Sequence, residues 1–264
     1  MKRFIPFVKT PPRVAVIRLQ GAIGTGRFPI NDEAYFQIID RAFKRGRPSA
    51  VALLINSPGG SPVQSSRIAS RIRRLADEKK VPVHAFVEDV AASGGYWLAC
   101  SADDIWADPA SVIGSIGVIS YGFGAHDFIS RHGIERRVHT AGKSKSQLDP
   151  FKPEQPEDVE RLKAILDDMH QIFIDHVKTS RGEKLTDDER IFAGEFWLAD
   201  TARKLGLIDG TAHMEPKLKE LYGDDVKLIR YGRRRGLFQR FGAQVAEDAM
   251  TAIEERAGYA RYGL

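Results

Sequence analysis

Two hydrophobic periods alternate along the chain, and each change of period marks a new element. RVAVIRLQG (13–21) is β-branched and alternating, which predicts a strand. NDEAYFQIIDRAFKRG (31–46) opens on a capping residue and closes on Gly46, which predicts a helix. AVALLINSPGG (50–60) is a short continuous apolar run ending in a Pro-Gly-Gly turn, the pattern of a buried strand. A helix over 61–80 and a second buried strand over 81–90 follow, then a turn at Ser93 and a helix to about Ala102. Residues 103–122 read as short strands broken by Pro and Gly, 125–134 as a short helix and 135–142 as a strand. Residues 156–182 are predicted to form a long helix, because Val159, Leu162, Ile165, Leu166, Met169, Ile172, Phe173 and Val177 recur at three and four. A helix over 194–210, ended by Gly206, precedes a short strand. Near the end Phe238, Phe241, Val245, Met250 and Ile253 lie on one face of an expected amphipathic helix. Strands alternating with helices give an α/β class with mostly parallel strands.

Composition narrows this picture without redirecting it. The 264 residues are 42% hydrophobic and 28% charged, the balance of a folded chain with a real core. The net charge is +5, and the arginines gather at Arg71, Arg73 and Arg74 and at Arg233–Arg235. No nucleic-acid reader motif accompanies these groups, so nucleic acid is not an expected partner. A peripheral contact with an anionic membrane face is compatible with them. Cys100 is the one cysteine, so no disulfide within the chain is available and nothing asks for an oxidising compartment. MKRFIPFVK is too short in apolar residues for a signal sequence or a span. A cytoplasmic location is therefore expected. No cluster has metal-ligand spacing, so neither metal nor cofactor is expected.

Two strand–turn–helix units carry candidate chemistry. One turn is Asn56-Ser57-Pro58-Gly59-Gly60, the other Ala92-Ser93-Gly94-Gly95. The first N–H groups of a helix have no partner within it and carry partial positive charge. Two such turns face to face could aim two N–H groups at one oxygen, as an oxyanion hole requires. Ser93 in the second turn is a candidate nucleophile, and the N–H of Gly94, the residue after it, a candidate donor. A serine also needs a base. None of the seven histidines has a context that singles it out; His84 falls mid-strand, and His170 and His176 fall on the long helix. A lysine serves only when neutral, and at its ordinary pKa of about 10.4 roughly one in 2,500 is neutral at pH 7. Burial and nearby positive dipoles lower that value. TAGKSKSQLDPF (140–151) offers Lys143 and Lys145 alike. AGKS within it is not a phosphate-binding loop, since the glycine that motif needs at 137 is Arg137.

INSPGG, DVAASGGYWLA, GSIGV and KSKSQLDPF, in this order, with FAGEFWLADTARKLGLID after them, resemble the signal peptide peptidase A family, peptidase family S49, which includes SohB-type proteins. The resemblance covers about residues 13–210. It implies a Clp protease/crotonase-like spiral of ββα units over 13–212, between an N-terminal arm (1–12) and a C-terminal helical extension (213–264). It implies a Ser-Lys dyad, with Ser93 as nucleophile and Lys145 as base. Gly60 and Gly94 match the oxyanion-hole amides, and Ser115 matches a serine that hydrogen-bonds the lysine. In the Clp protease branch a histidine follows the serine, but ASVIGSIGVIS (110–120) holds none. The implied function is a serine endopeptidase acting on peptide substrates such as remnant signal peptides. The implied assembly is a homo-oligomeric ring, with each active site completed between subunits. A crotonase-type acyl-CoA enzyme and a non-catalytic scaffold are the alternatives on the same fold.

Overall fold

The computed structural model describes residues 11–25, 29–232 and 258–264. These divide into two units, 1–116 with 174–264 and 117–173. The expected amphipathic helix around Phe238–Ile253, its Arg233–Arg235 lead and most of the N-terminal arm lie outside the described residues.

The first unit is built on a sheet that is eight-stranded among the described residues. Strands β1 (Arg13–Gln20), β2 (Ala50–Ser57) and β3 (Val83–Ala92) form its centre. Beyond them come β4 (Asp104–Ala107), β5 (Val112–Gly114), β6 (Phe196–Leu198), β7 (Gly210–Thr211) and β8 (Lys227–Tyr231). The main order is β6-β5-β3-β2-β1-β8, and β4 branches from β3 to pair with β7. All pairings are parallel except β5 with β6. Parallel strands covered on both faces read as continuous apolar runs, and Val51, Ala52, Leu53 and Ile55 of β2 are indeed fully buried.

The branch positions the site. β3 pairs through His84–Val87 with β4 and through Val90–Ala92 with β5. Between the two stretches the β2–β3 register shifts, from Ile55 opposite Val87 to Ser57 opposite Ala91. β3 thus holds two more residues than β2 across this step, and extra residues in a strand bend it and increase its twist. The far end of β3 therefore leaves the β4 layer, joins β5 and carries Ser93 beyond the sheet.

The helices have local causes. Helix α1 (Asp32–Lys44) is capped by Asn31, whose side chain accepts from the Ala34 N–H at 2.8 Å; acids occupy its first turn and bases its last. Helix α2 (Pro62–Lys79) starts at Ser61 with proline in its first turn and ends on Lys80 in the left-handed region. Asp32 accepts from Arg67 at 2.9 Å and from Arg71 at 2.7 Å, tying α1 to α2. The Arg71 hydrogen bond holds its carboxyl below the usual range. After the short helix α3 (Gly94–Ala99) come α4 (His126–Arg131), α5 (Pro156–Arg181), α6 (Ala199–Lys204) and α7 (Met214–Tyr222). Met214 and Leu218 of α7 pack with Val14, Val16, Ala52 and Phe86 on one sheet face. His84 joins α7 to β4, lying 2.9 Å from Asp104 and 2.7 Å from the Tyr222 hydroxyl.

Three elements differ from the sequence expectation. Residues 135–142 form no strand; nearly all are exposed and none pairs, and alternation makes a strand only where a neighbouring strand accepts its hydrogen bonds. The start of the expected 194–210 helix is β6, held by pairing with β5. Within 213–264, expected to be a helical extension, β8 instead adds a strand parallel to β1.

The second unit holds α4 and the larger part of α5. Ala125 N–H donates to the Pro150 carbonyl, joining its two loops. None of its residues 117–172 is buried.

Candidate active site

Ser93 occupies a strained turn. It joins β3 directly to α3, with φ 51° and ψ −121°. A non-glycine residue at positive φ costs about 1–3 kcal/mol and persists where the surroundings hold it. Here they do so on both sides: Ser93 N–H donates to the Gly114 carbonyl at 2.8 Å, and its carbonyl accepts from the Trp97 N–H at 3.0 Å. The turn stops Ser93 from pairing its side chain with α3, and its hydroxyl makes no capping bond. Every residue of α3 is buried beneath it. His176 braces that helix, donating from Nε2 to the Trp97 carbonyl at 3.0 Å and stacking on the indole at 4.9 Å. Burial lowers its pKa and keeps the imidazole neutral, so it acts as a strut.

The Gly59–Gly60 turn presses against Ser93. A Cβ on Gly59 would fall 2.8 Å from Ser93 Cβ and 2.9 Å from Gly94 N. The Ser57 hydroxyl donates to the Gly21 carbonyl at 2.7 Å and accepts the Gly59 N–H at 3.3 Å. Ile23 pairs with the turn from the other side, its N–H donating to Gly59 and its carbonyl accepting from Ser61. The Gly59 and Ser61 N–H groups are thus engaged, whereas that of Gly60 between them has no partner among the described residues. The Gly94 N–H, first in α3, is likewise unpaired there. A Cβ on Gly94 would lie 3.4 Å from Gly60 N and 2.5 Å from Ser65 Oγ, so both turns need their glycines to approach this closely.

Ser115 follows β5, whose Gly114 pairs with Ala92 next to Ser93. It too has positive φ, 53°, and its N–H donates to the Glu195 carbonyl at 2.6 Å. Ser93, Gly60, Gly94 and Ser115 therefore share one end of the sheet in the first unit. Cys100 lies under α3, where burial pushes its thiol up to about 12, so it offers no competing nucleophile.

Lys145 belongs to the second unit. It sits in the turns of residues 141–148, its N–H donating to the Gly142 carbonyl at 3.2 Å, and its side chain is exposed. Asp149 organises this segment: it accepts from the Phe151 N–H at 3.0 Å and pairs with Arg136 at 3.1 Å, whose guanidinium lies over the Phe151 ring. Ser146, beside Lys145, accepts from Lys152 Nζ at 2.9 Å. The Lys145 amine makes no hydrogen bond or ion pair among the described residues. Lys143, the other lysine of this stretch, is also exposed.

Two residues at the site were not singled out from the sequence, Tyr259 and Tyr262. Their rings pack on Val90, Ala92 and Val112. A Tyr-x-x-Tyr spacing in GYARYGL (258–264) was the available signal, but aromatic pairs at that spacing are common and do not name a site.

The site is a strained serine turn facing two main-chain N–H groups that are unpaired among the described residues, and comparison with known proteins names the family. The chain belongs to peptidase family S49, whose model matches residues 75–225. Across its whole length the chain is 45% identical to part of a Brucella abortus protein named as the Na(+)/H(+) antiporter NhaA, of which it spans only 39%. It is 31% identical over 224 residues to a protein of Methanocaldococcus jannaschii named as a protease, covering 81% of this chain and 71% of that one. Among solved structures, a lysine-to-alanine variant of the 1510-N membrane-bound stomatin-specific protease, in complex with a substrate peptide, superposes with a TM-score of 0.56 at 17% identity. It covers 92% of this chain and all of that one, which establishes a shared Clp protease-like α/β fold.

Proposed function

We propose that this S49 peptidase is a serine endopeptidase with Ser93 as nucleophile and Lys145 as general base. The observation that carries the reading is the Ser93 turn at φ 51°, set against the unpaired N–H groups of Gly60 and Gly94. The neutral Lys145 amine takes the Ser93 proton while Oγ bonds to the peptide carbonyl carbon. The carbonyl oxygen becomes an oxyanion held by the Gly60 and Gly94 N–H groups. Lys145, now protonated, gives its proton to the departing amine as the C–N bond breaks. Water then attacks the acyl-enzyme, with Lys145 again the base, and releases the acid and the free serine. Ser115 accepts from the lysine and orients it.

Several observations favour a lysine over a histidine base. In the first unit His84 is engaged by Asp104 and Tyr222, His176 by the Trp97 carbonyl and His213 by Asp108. The same fold has been solved as a lysine-to-alanine variant holding a substrate peptide. A crotonase-type reaction would need a carboxylate acid/base here instead.

The second unit supports assembly into a homo-oligomeric ring whose subunits complete one another's sites. Its apolar side chains are uncovered: Phe123 is 90% exposed, Tyr121 84%, and Phe128 and Ile119 61% each. A segment with so little buried surface does not offset its own ordering entropy, and a second copy of the chain is the proposed cover. Apolar peptide segments, including signal-peptide remnants, are the proposed substrates. Among the described residues no helix is long and apolar enough to cross a membrane. Peripheral contact with the inner membrane face, from a cytoplasmic location, belongs to the same proposal.

Cleavage of an unstructured protein such as casein tests this reading. Activity lost in both Ser93→Ala and Lys145→Ala supports it, and if sites are shared, mixing the two inactive variants restores part of it. Casein cleavage that survives Ser93→Ala overturns it, and CoA-thioester turnover unaltered by that substitution selects the crotonase alternative.

A further inference from the structure

Residues Gly258–Leu264 lie against the turns that carry the free N–H groups. The Tyr259 hydroxyl donates to the Asn56 carbonyl at 2.9 Å. The Tyr262 hydroxyl stands 3.4 Å from the Pro58 carbonyl and 3.3 Å from Ser115 Oγ. Both rings rest on Val90, Ala92 and Val112, and Phe196 meets Tyr262 edge-on at 5.1 Å between centroids. The segment thus touches the ends of β2 and β3 and the residue after β5, the three places that deliver Gly60, Ser93 and Ser115.

This contact differs from ordinary core packing. Tyr259 and Tyr262 are only half-buried, and Ala260, Arg261, Gly263 and Leu264 are exposed. The two rings cover an apolar patch at the ends of β3 and β5, made by Val90, Ala92 and Val112. Its polar anchors are two phenol hydroxyls. A serine hydroxyl has one proton to give and two lone pairs to receive with. With the Tyr262 hydroxyl donating to Ser115 Oγ at 3.3 Å, one of the two acceptor directions is taken.

We propose that residues 258–264 form a self-inhibitory strap: Tyr259 and Tyr262 seat on the Val90–Ala92–Val112 patch, and the Tyr262 hydroxyl occupies the Ser115 oxygen that the base lysine needs. The strap rests on the Ser-Lys reading. It makes the site competent only when the segment lifts, and a peptide able to displace the two rings opens it. Loss of the Tyr262 hydroxyl alone, with the ring kept, removes the polar half of the lock.

The test is the rate at which a fluorophosphonate probe labels Ser93, mapped by mass spectrometry, with thermal melting to confirm the fold. Labelling in Tyr262→Phe is expected to rise about fivefold, the factor for one neutral hydrogen bond. Deleting 258–264 is expected to raise it by about tenfold or more, since both hydrogen bonds and the ring contacts go. The free heptapeptide GYARYGL, added to either variant, is expected to slow labelling again. If the deleted chain does not fold, Tyr262→Phe with and without the heptapeptide decides alone. Equal labelling rates in the parent and the folded variants, unmoved by the heptapeptide, overturn the strap while leaving the peptidase reading intact. No labelling of Ser93 in any variant overturns both.

Discussion

Every residue of α3 after Ser93 is buried, whereas among residues 117–172, which include Lys145, not one is. The surroundings of Ser93, the proposed nucleophile, are held by hydrogen bonds within the first unit. Ser57, Ile23, Gly114 and Trp97 each fix a backbone group, and the two N–H groups left unpaired among the described residues are those the proposed chemistry needs. The lysine's surroundings are ordered mainly by local turns and by Asp149, with apolar side chains facing outward. Electrostatic stabilisation of an oxyanion works best when its donors need no reorganisation. Activation of a lysine needs removal from water. The first can be built within one unit, and the second waits for a cover. On the proposed reading, this division keeps the chain inactive until a second copy covers the lysine.

The largest effects should come from the reacting groups. Ser93→Ala and Lys145→Ala are each expected to lower kcat by about 10⁴-fold or more, with unchanged melting temperatures. A fall of less than tenfold in either would remove that residue from the reaction. Gly60→Ala comes next. Its Cβ would lie 2.2 Å from the Ile23 carbonyl oxygen at φ 139°, so the turn must shift and move the N–H. A loss of about 10²–10³ in kcat is expected, as for one oxyanion donor. An unshifted kcat in the folded variant would place the donor elsewhere. Phe123→Asp probes the other side of the comparison. It should leave the fold of the first unit intact, reduce the assembled fraction in sedimentation velocity, and lower activity in proportion. Full assembly with full activity would mean that this face is not covered by a second copy.

The smallest expected effect concerns stability. Burial alone would raise the Asp209 pKa, but hydrogen bonds from Arg181 and Lys184 outweigh it and hold it below the usual 3.8. Such a group contributes stability above its unfolded pKa and loses it as pH falls through the folded value. His176 is likewise lowered, from 6.5, by burial, so the folded state resists its protonation and loses stability as pH drops below 6.5. Melting temperature should therefore decline in two stages on acidification, a shallow one below about pH 6.5 and a further one below about pH 4. His176→Gln should abolish the first stage, and its persistence would mean that another group is responsible.

Much of the first unit could be read from the chain. Asn31 and Ser61 are caps with side chains that bond the first turns, and the apolar runs of β2 and β3 match strands buried on both faces. The turns at Gly59–Gly60 and Ser93–Gly94 were legible as turns because each glycine pair closes an apolar strand run just before a helix. What failed did so for want of a partner. FWL at 196–198 fits a helix until β5 is there to pair with it, and residues 135–142 alternate without any neighbouring strand. Strand β8 depends on β1, more than 200 residues earlier, and no local period announces such a contact. The Tyr262 contact with Ser115 spans 147 residues and was invisible for the same reason.

The central claim is that the amine of Lys145 removes the proton of Ser93. It is tested most directly by fluorophosphonate labelling of Ser93 in the assembled parent protein and in Lys145→Ala across about pH 5 to 9. Labelling in the parent should rise with pH as the base loses its proton, and in Lys145→Ala it should be at least about a hundredfold slower. Equal rates in the two proteins, or a parent rate flat across that range, would contradict the account.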